Sequence, residues 1–135
     1  MRYSLLLGYQ WITGLSDTGT GLLMYVAPAS TLRLMGVHAP AEVNPYISYI
    51  GAFSLSVGLS CLYGALLVAH DARKERLETV WLLTAIARST VAIYLIKGIL
   101  SGGLEPVWMT VAVFDGLCVV IQAIGLRKKW PVHYA

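Results

Sequence analysis

Four apolar stretches occupy most of this chain, over residues 4–27, 44–70, 77–100 and 106–126. Each is at least about 20 residues long, and at roughly 1.5 Å of rise per residue that is enough helix to cross a ~30 Å hydrocarbon core. The longest connection, residues 28–43, is too short to fold as a domain of its own. The 135 residues therefore read as a single transmembrane domain, an all-α four-helix membrane bundle. Composition agrees: 57% of residues are hydrophobic and 13% charged, against roughly 25% charged in soluble domains. A soluble helical bundle would show a charged face on each helix, and these segments show none.

The net charge of +3 matters through its placement. Arg2 precedes the first stretch, Arg73, Lys74 and Arg76 lie between the second and third, and Arg127, Lys128 and Lys129 follow the fourth. In an even-numbered bundle all of these fall on one side. The other side has Arg33, Glu42 and Glu105, with Lys97 near its surface. Excess Lys and Arg marks the cytoplasmic side, so both termini are expected in the cytoplasm. The two basic clusters read as topology and anionic-lipid contacts, with membrane lipids as partners and no nucleic acid.

Aromatic residues fit the same frame. Tyr3, Trp81, Trp130 and Tyr134 are expected at the cytoplasmic interface, and Tyr25, Tyr46, Tyr49 and Trp108 at the opposite one. Trp11 fits neither belt and is expected between helices. The N-terminal stretch has a signal-peptide flavour, with Arg2 before an apolar run and Ala27-Pro28-Ala29 after it. Gln10 and Asp17 interrupt the run and Pro28 spoils the cleavage site, so the stretch is expected to be a first span. Pro28, Gly36 and Pro40 break the chain after it, and the apolar residues between them predict a short interfacial element. Asn44-Pro45 reads as the cap and first turn of the second span.

Three ionisable residues sit near the middle of three apolar stretches: Asp17 in the first, Arg88 in the third and Asp115 in the fourth. A charge at the bilayer midplane costs at least ~2.5–3.5 kcal/mol on insertion scales, so such residues face a protein interior and pair with one another. Arg88 and Asp115 each lie roughly 14–18 Å of helix rise from their span ends, at matching depth on neighbouring antiparallel helices. A salt bridge between them is expected, and the guanidinium fork could also reach Asp17. Gln10 and Gln122 complete the predicted buried polar cluster. The third span carries Trp81, Thr84, Ala85, Arg88, Ala92 and Leu95 on one face; the fourth carries Trp108, Val111, Ala112, Asp115, Cys118, Val119 and Gln122.

Small residues predict where helices pack. Gln10, Thr13, Gly14, Asp17, Thr20 and Gly21 recur at spacings of three and four on the first span. Ser54 with Gly58, and Ser60 with Gly64, are small-residue pairs one turn apart on the second. Gly14, Gly21, Ser54, Gly58, Ser60 and Gly64 are thus the expected helix-packing positions. Cys61 and Cys118 lie singly inside apolar helices, and no CxxC pair indicates a metal. His38, His70 and His133 sit at span ends or in loops, so no metal, haem or other cofactor is expected.

A first span running into Pro28, the motif Leu34-Met35-Gly36, a small-residue second span, Arg88 in the third, and Asp115-Gly116 with Gln122 in the fourth together resemble the DoxX-like superfamily of small four-span bacterial membrane proteins. A more distant likeness is to the family of the ergosterol-biosynthesis scaffold protein. The resemblance covers nearly the whole chain as a layout. It implies a bacterial cytoplasmic-membrane location and an accessory role, in some members linked to thiosulfate:quinone oxidoreduction. It assigns no catalytic residue.

The leading functional reading is accordingly a small accessory or scaffold subunit of a larger membrane complex, respiratory or otherwise engaged in electron transfer. A second reading makes the Asp17/Arg88/Asp115 cluster a quinone- or lipid-binding site in a redox or lipid-metabolism enzyme component. A third is an oligomeric transporter or proton pathway, although the sequence shows no inverted repeat or broken helix. No glycine-rich phosphate loop or triad-like spacing is present, which excludes soluble nucleotide-binding and hydrolytic chemistry.

Overall fold

The described residues form five α-helices, with proline or glycine at the breaks after the first, second and fourth. The structure, a computed structural model, describes residues 2–70 and 74–133. Helix α1 covers Arg2–Val26, α2 Pro28–Met35, α3 Asn44–Ala69, α4 Lys74–Leu100 and α5 Met109–Arg127. Short 3-10 turns at Ala41–Val43 and Pro106–Trp108 lead into α3 and α5, and no strand occurs among the described residues. Arg73 and Tyr134, both singled out from the sequence, lie outside the described residues.

Pro28 opens α2 in its first turn, where a missing N–H costs nothing. Asn44 does not cap α3. It is itself helical, at φ −53° and ψ −42°, because the 3-10 turn runs straight into the helix. The change of direction falls at Pro40, which is extended at φ −68° and ψ 157°.

Helices α2, α4 and α5 end with the same local geometry, in which a residue in the left-handed region lets two backbone amides fold back onto exposed carbonyls. At α2 the residue is Gly36 (φ 76°), with Gly36 N–H bonding Arg33 O and Val37 N–H bonding Leu32 O. At α4 it is Gly102 (φ 74°), with Gly102 bonding Ile99 O and Gly103 bonding Gly98 O. At α5 it is Lys129 (φ 52°), with Lys129 bonding Leu126 O and Trp130 bonding Gly125 O.

The chain divides into two compact units, Leu7–Leu66 and, together, Met1–Leu6 with Leu67–Ala135. In the first unit α1 packs antiparallel on α3 through glycine. A Cβ on Gly51 would come 2.5 Å from Tyr25 N, and one on Gly21 would strike the Leu55 backbone. A Cβ on Gly58 would lie 2.5 Å from Thr18 Oγ1, and one on Gly14 would lie 2.7 Å from the Leu62 side chain. Gln10, fully buried, donates from Nε2 to Cys61 O at 3.1 Å, and Ser54 Oγ donates to Asp17 O at 3.5 Å.

Of the predicted packing positions, Gly14, Gly21, Ser54 and Gly58 meet the partner helix. Gly64 is buried. Ser60 is a correction: it is exposed and donates to Ser56 O of its own helix at 2.8 Å. The buried face of α3 repeats as Gly51, Gly58, Cys61 and Ala65, and Ser60 lies to one side of it.

In the second unit α4 and α5 form an antiparallel hairpin. Its buried face is Leu77, Trp81, Thr84, Arg88, Ala92 and Leu95 on α4 against Ala112, Asp115, Cys118, Gln122 and Gly125 on α5. Trp81 is buried, because glycine at position 125 leaves room for its ring. A Cβ on Gly125 would strike Trp81 Cζ3 and stand 3.0 Å from Trp130 Cε3. Gly125→Ala is therefore expected to destabilise the protein by about 1–3 kcal/mol through overpacking. A shifted tryptophan emission together with a lower unfolding midpoint would register it; an unchanged pair would show that the ring has somewhere else to go.

Three segments, Ala41–Ala69, Lys74–Leu100 and Pro106–Arg127, are long and apolar enough to cross a membrane. Helix α1 has the length, at 25 residues, but Gln10, Thr13, Asp17 and Thr20 make it more polar. The distribution of side chains is the reverse of a soluble protein's. Phe53, Leu59, Leu83, Ile86, Ile93 and Leu117 are exposed, while Gln10, Arg88, Asp115 and Gln122 are buried. Soluble monomers rarely expose apolar surface on this scale. The chain is an integral membrane protein. Trp11 follows this outward pattern and is 42% exposed, not held between helices.

Candidate functional site

The polar groups of the α4–α5 hairpin are stacked in levels, each held by a residue on the buried stripe of its helix. Arg88 Nη1 donates to Asp115 Oδ1 at 2.6 Å. Arg88 is 3% and Asp115 8% exposed, so the ion pair is shut away from solvent and lipid alike. The guanidinium carbon also lies 5.5 Å from the centre of the Phe114 ring, within cation–π range. Seven residues along α5, two turns from Asp115, Gln122 Nε2 donates to Thr84 Oγ1 at 2.7 Å. Thr84 passes its own hydrogen to Val80 O at 2.7 Å, which makes its oxygen the acceptor for Gln122. Gln122 Oε1 is buried with no hydrogen-bond partner.

Arg88 and Asp115, predicted as a pair from depth alone, have their side chains in contact, and Gln122 is buried on the same stripe. Asp17 and Gln10 lie in the other unit, Gln10 bonded to α3 and Asp17 half-buried on α1. Lys74 is half-buried at the start of α4, and Arg76, Arg127, Lys128 and Lys129 are exposed. Spacing pointed to neither Phe114 nor the Thr84 hydroxyl. Phe114 precedes Asp115 in sequence, but ring position relative to a cation depends on rotamers that a sequence pattern does not encode. Gly51 and Gly125 also lie on the buried stripes of their helices, but neither forms a small-residue pair at a spacing of four that would mark it in the sequence.

Chemically, the Arg88–Asp115 pair is a closed neutral unit with a register-setting geometry. Sliding α4 against α5 by one turn would separate both the ion pair and the Gln122–Thr84 bond, each of which has few alternatives in an apolar surround. No protein-family model matches the chain, and neither a curated protein nor a solved structure matches it.

Proposed function

We propose that this chain is a small accessory or scaffold subunit of a larger membrane complex, of the DoxX-like kind, placed in a bacterial cytoplasmic membrane. In this reading α1 is a fourth crossing, the four long helices form one bundle, and the even number of spans puts both termini on the cytoplasmic side. The observation that carries the functional reading is the closure of the central ion pair. Arg88 and Asp115 are 3% and 8% exposed and are bonded to each other, so they serve packing rather than presenting a charge to a substrate. What the protein does offer outward is helix surface: exposed apolar side chains on α3, α4 and α5, with almost no mass outside the apolar segments. Electron-transfer complexes are the proposed setting, because the layout of spans and the positions of Arg88, Asp115 and Gln122 resemble families with such members.

The test is mass spectrometry of what co-purifies with the tagged protein in mild detergent or nanodiscs. Stoichiometric recovery of larger membrane subunits is expected. Recovery of the chain alone, or only as copies of itself, would overturn the accessory reading.

A further inference from the structure

The antiparallel register of α4 and α5 brings two basic segments, far apart in sequence, to one end of the hairpin. Trp81 sits against Gly125 and Trp130, Thr84 bonds Gln122, and Arg88 bonds Asp115. Carried up to about two further turns, that register sets Lys74 and Arg76 at the start of α4 level with Arg127, Lys128 and Lys129 at the end of α5. Glu75 and Glu78 share this end, so the described cations outnumber the carboxylates five to two. Lys97 and Glu105 balance each other at the opposite end.

The turn that carries three of these cations is built, not loose. Pro131 is fully buried and Trp130 half-buried, its ring beside the space over Gly125, while Arg127, Lys128 and Lys129 are exposed. The equivalent turns after α2 and α4 use glycine at the left-handed position; here Lys129 occupies it at φ 52°. A non-glycine residue in that conformation carries steric strain that glycine would remove. Strain held in place by packing is a feature of binding sites, where a side chain's position is worth more than local comfort.

Below the cations runs an apolar stripe. Leu117, Ile121, Ile124 and Lys128 recur at spacings of four, three and four on an exposed face of α5, so three apolar side chains lead up one face to a cation. An acyl chain beneath a phosphate has the same order of groups.

We propose that this end of the α4–α5 hairpin is a binding site for an anionic phospholipid, with the head-group phosphate on Arg127, Lys128 and Lys129 and an acyl chain along Leu117, Ile121 and Ile124. The site requires the chain to be a membrane protein, but not the partner complex proposed above. The apolar stripe selects a lipid over a free phosphate, and the fixed turn distinguishes the site from a diffuse surface charge.

Native mass spectrometry of the purified protein tests it, with phosphatidylglycerol and phosphatidylcholine of identical acyl chains supplied together in mixed micelles. Membrane orientation does not enter in detergent. The protein is expected to retain phosphatidylglycerol preferentially, and each cation removed is expected to weaken that preference about fivefold. Lys129→Gly is the sharpest variant, since it keeps the turn and relieves the strain; it should lower the preference without lowering the unfolding midpoint. Combined with Arg127→Gln and Lys128→Gln it should abolish the preference, whereas Lys97→Gln at the opposite end should leave it intact. Equal retention of the two lipids by the unmodified protein, an undiminished preference in the triple variant, or an equal loss in Lys97→Gln would each overturn the proposal.

Discussion

Asp115→Leu is expected to destabilise the protein by roughly 3–5 kcal/mol, because it leaves the Arg88 guanidinium buried without its counter-ion. The effect should appear as a large drop in the midpoint of unfolding by SDS in mixed micelles, followed by far-UV circular dichroism. Replacing both partners, as Arg88→Met with Asp115→Leu, should recover most of the loss, since apolar side chains of similar volume leave no buried charge and such exchanges are often neutral or stabilising. A double variant as unstable as the single one would mean that Arg88 or Asp115 does something beyond neutralising the other, and would return weight to a working site. Gln122→Met provides the contrast. It removes one hydrogen bond to Thr84 but also a buried acceptor without a partner, so its cost should stay within about 1 kcal/mol.

The second large effect is steric. Gly51→Val and Gly21→Val are each expected to separate α1 from α3, because the added Cβ meets main chain on the opposing helix and not the flexible end of a side chain. Overpacking typically costs about 1–3 kcal/mol, and main-chain collisions leave the fewest ways to relax. Gly19→Ala, two residues from Gly21 on the same helix, has nothing within 4 Å of its new methyl group. It should be neutral or stabilising by about 0.5–1 kcal/mol, as for any glycine relieved inside a helix. A disulfide between cysteines placed across the α1–α3 contact would report the separation directly: fast oxidation in Gly19→Ala and slow oxidation in Gly51→Val is the expected pair of results. Equal oxidation in both variants would remove the close contact from the account.

The two effects divide the structure by the kind of information that specifies it. The apolar lengths and the breaks at Pro28, Gly36 and Pro40 are legible residue by residue, because helix propensity and backbone sterics act locally. The stripe Trp81, Thr84, Arg88, Ala92 and Leu95 is legible too, since burial of one face imposes a repeat of three and four. Asn44 misled because a residue common in caps can equally continue a 3-10 turn, and the choice depends on the loop before it. Residue type alone does not set the exposure of Trp11 and Trp81, which is 42% for the first and 1% for the second; Gly125 faces Trp81 and leaves room for its ring.

By itself the sequence determined that this chain is helical and apolar enough to sit in a membrane, and that Arg88 and Asp115 stand at the same depth; it read four spans where three helices of the structure have the length and hydropathy to cross. Those properties follow from local periodicity and from the cost of charge in hydrocarbon, neither of which needs a partner helix to be known. Tertiary structure alone decided that Gly51 and Gly21 bring two backbones together, that Gln122 bonds Thr84, and that Gly125 faces Trp81. Each of these depends on the rotation and register of one helix against another, which many weak contacts set jointly and no short stretch of sequence encodes.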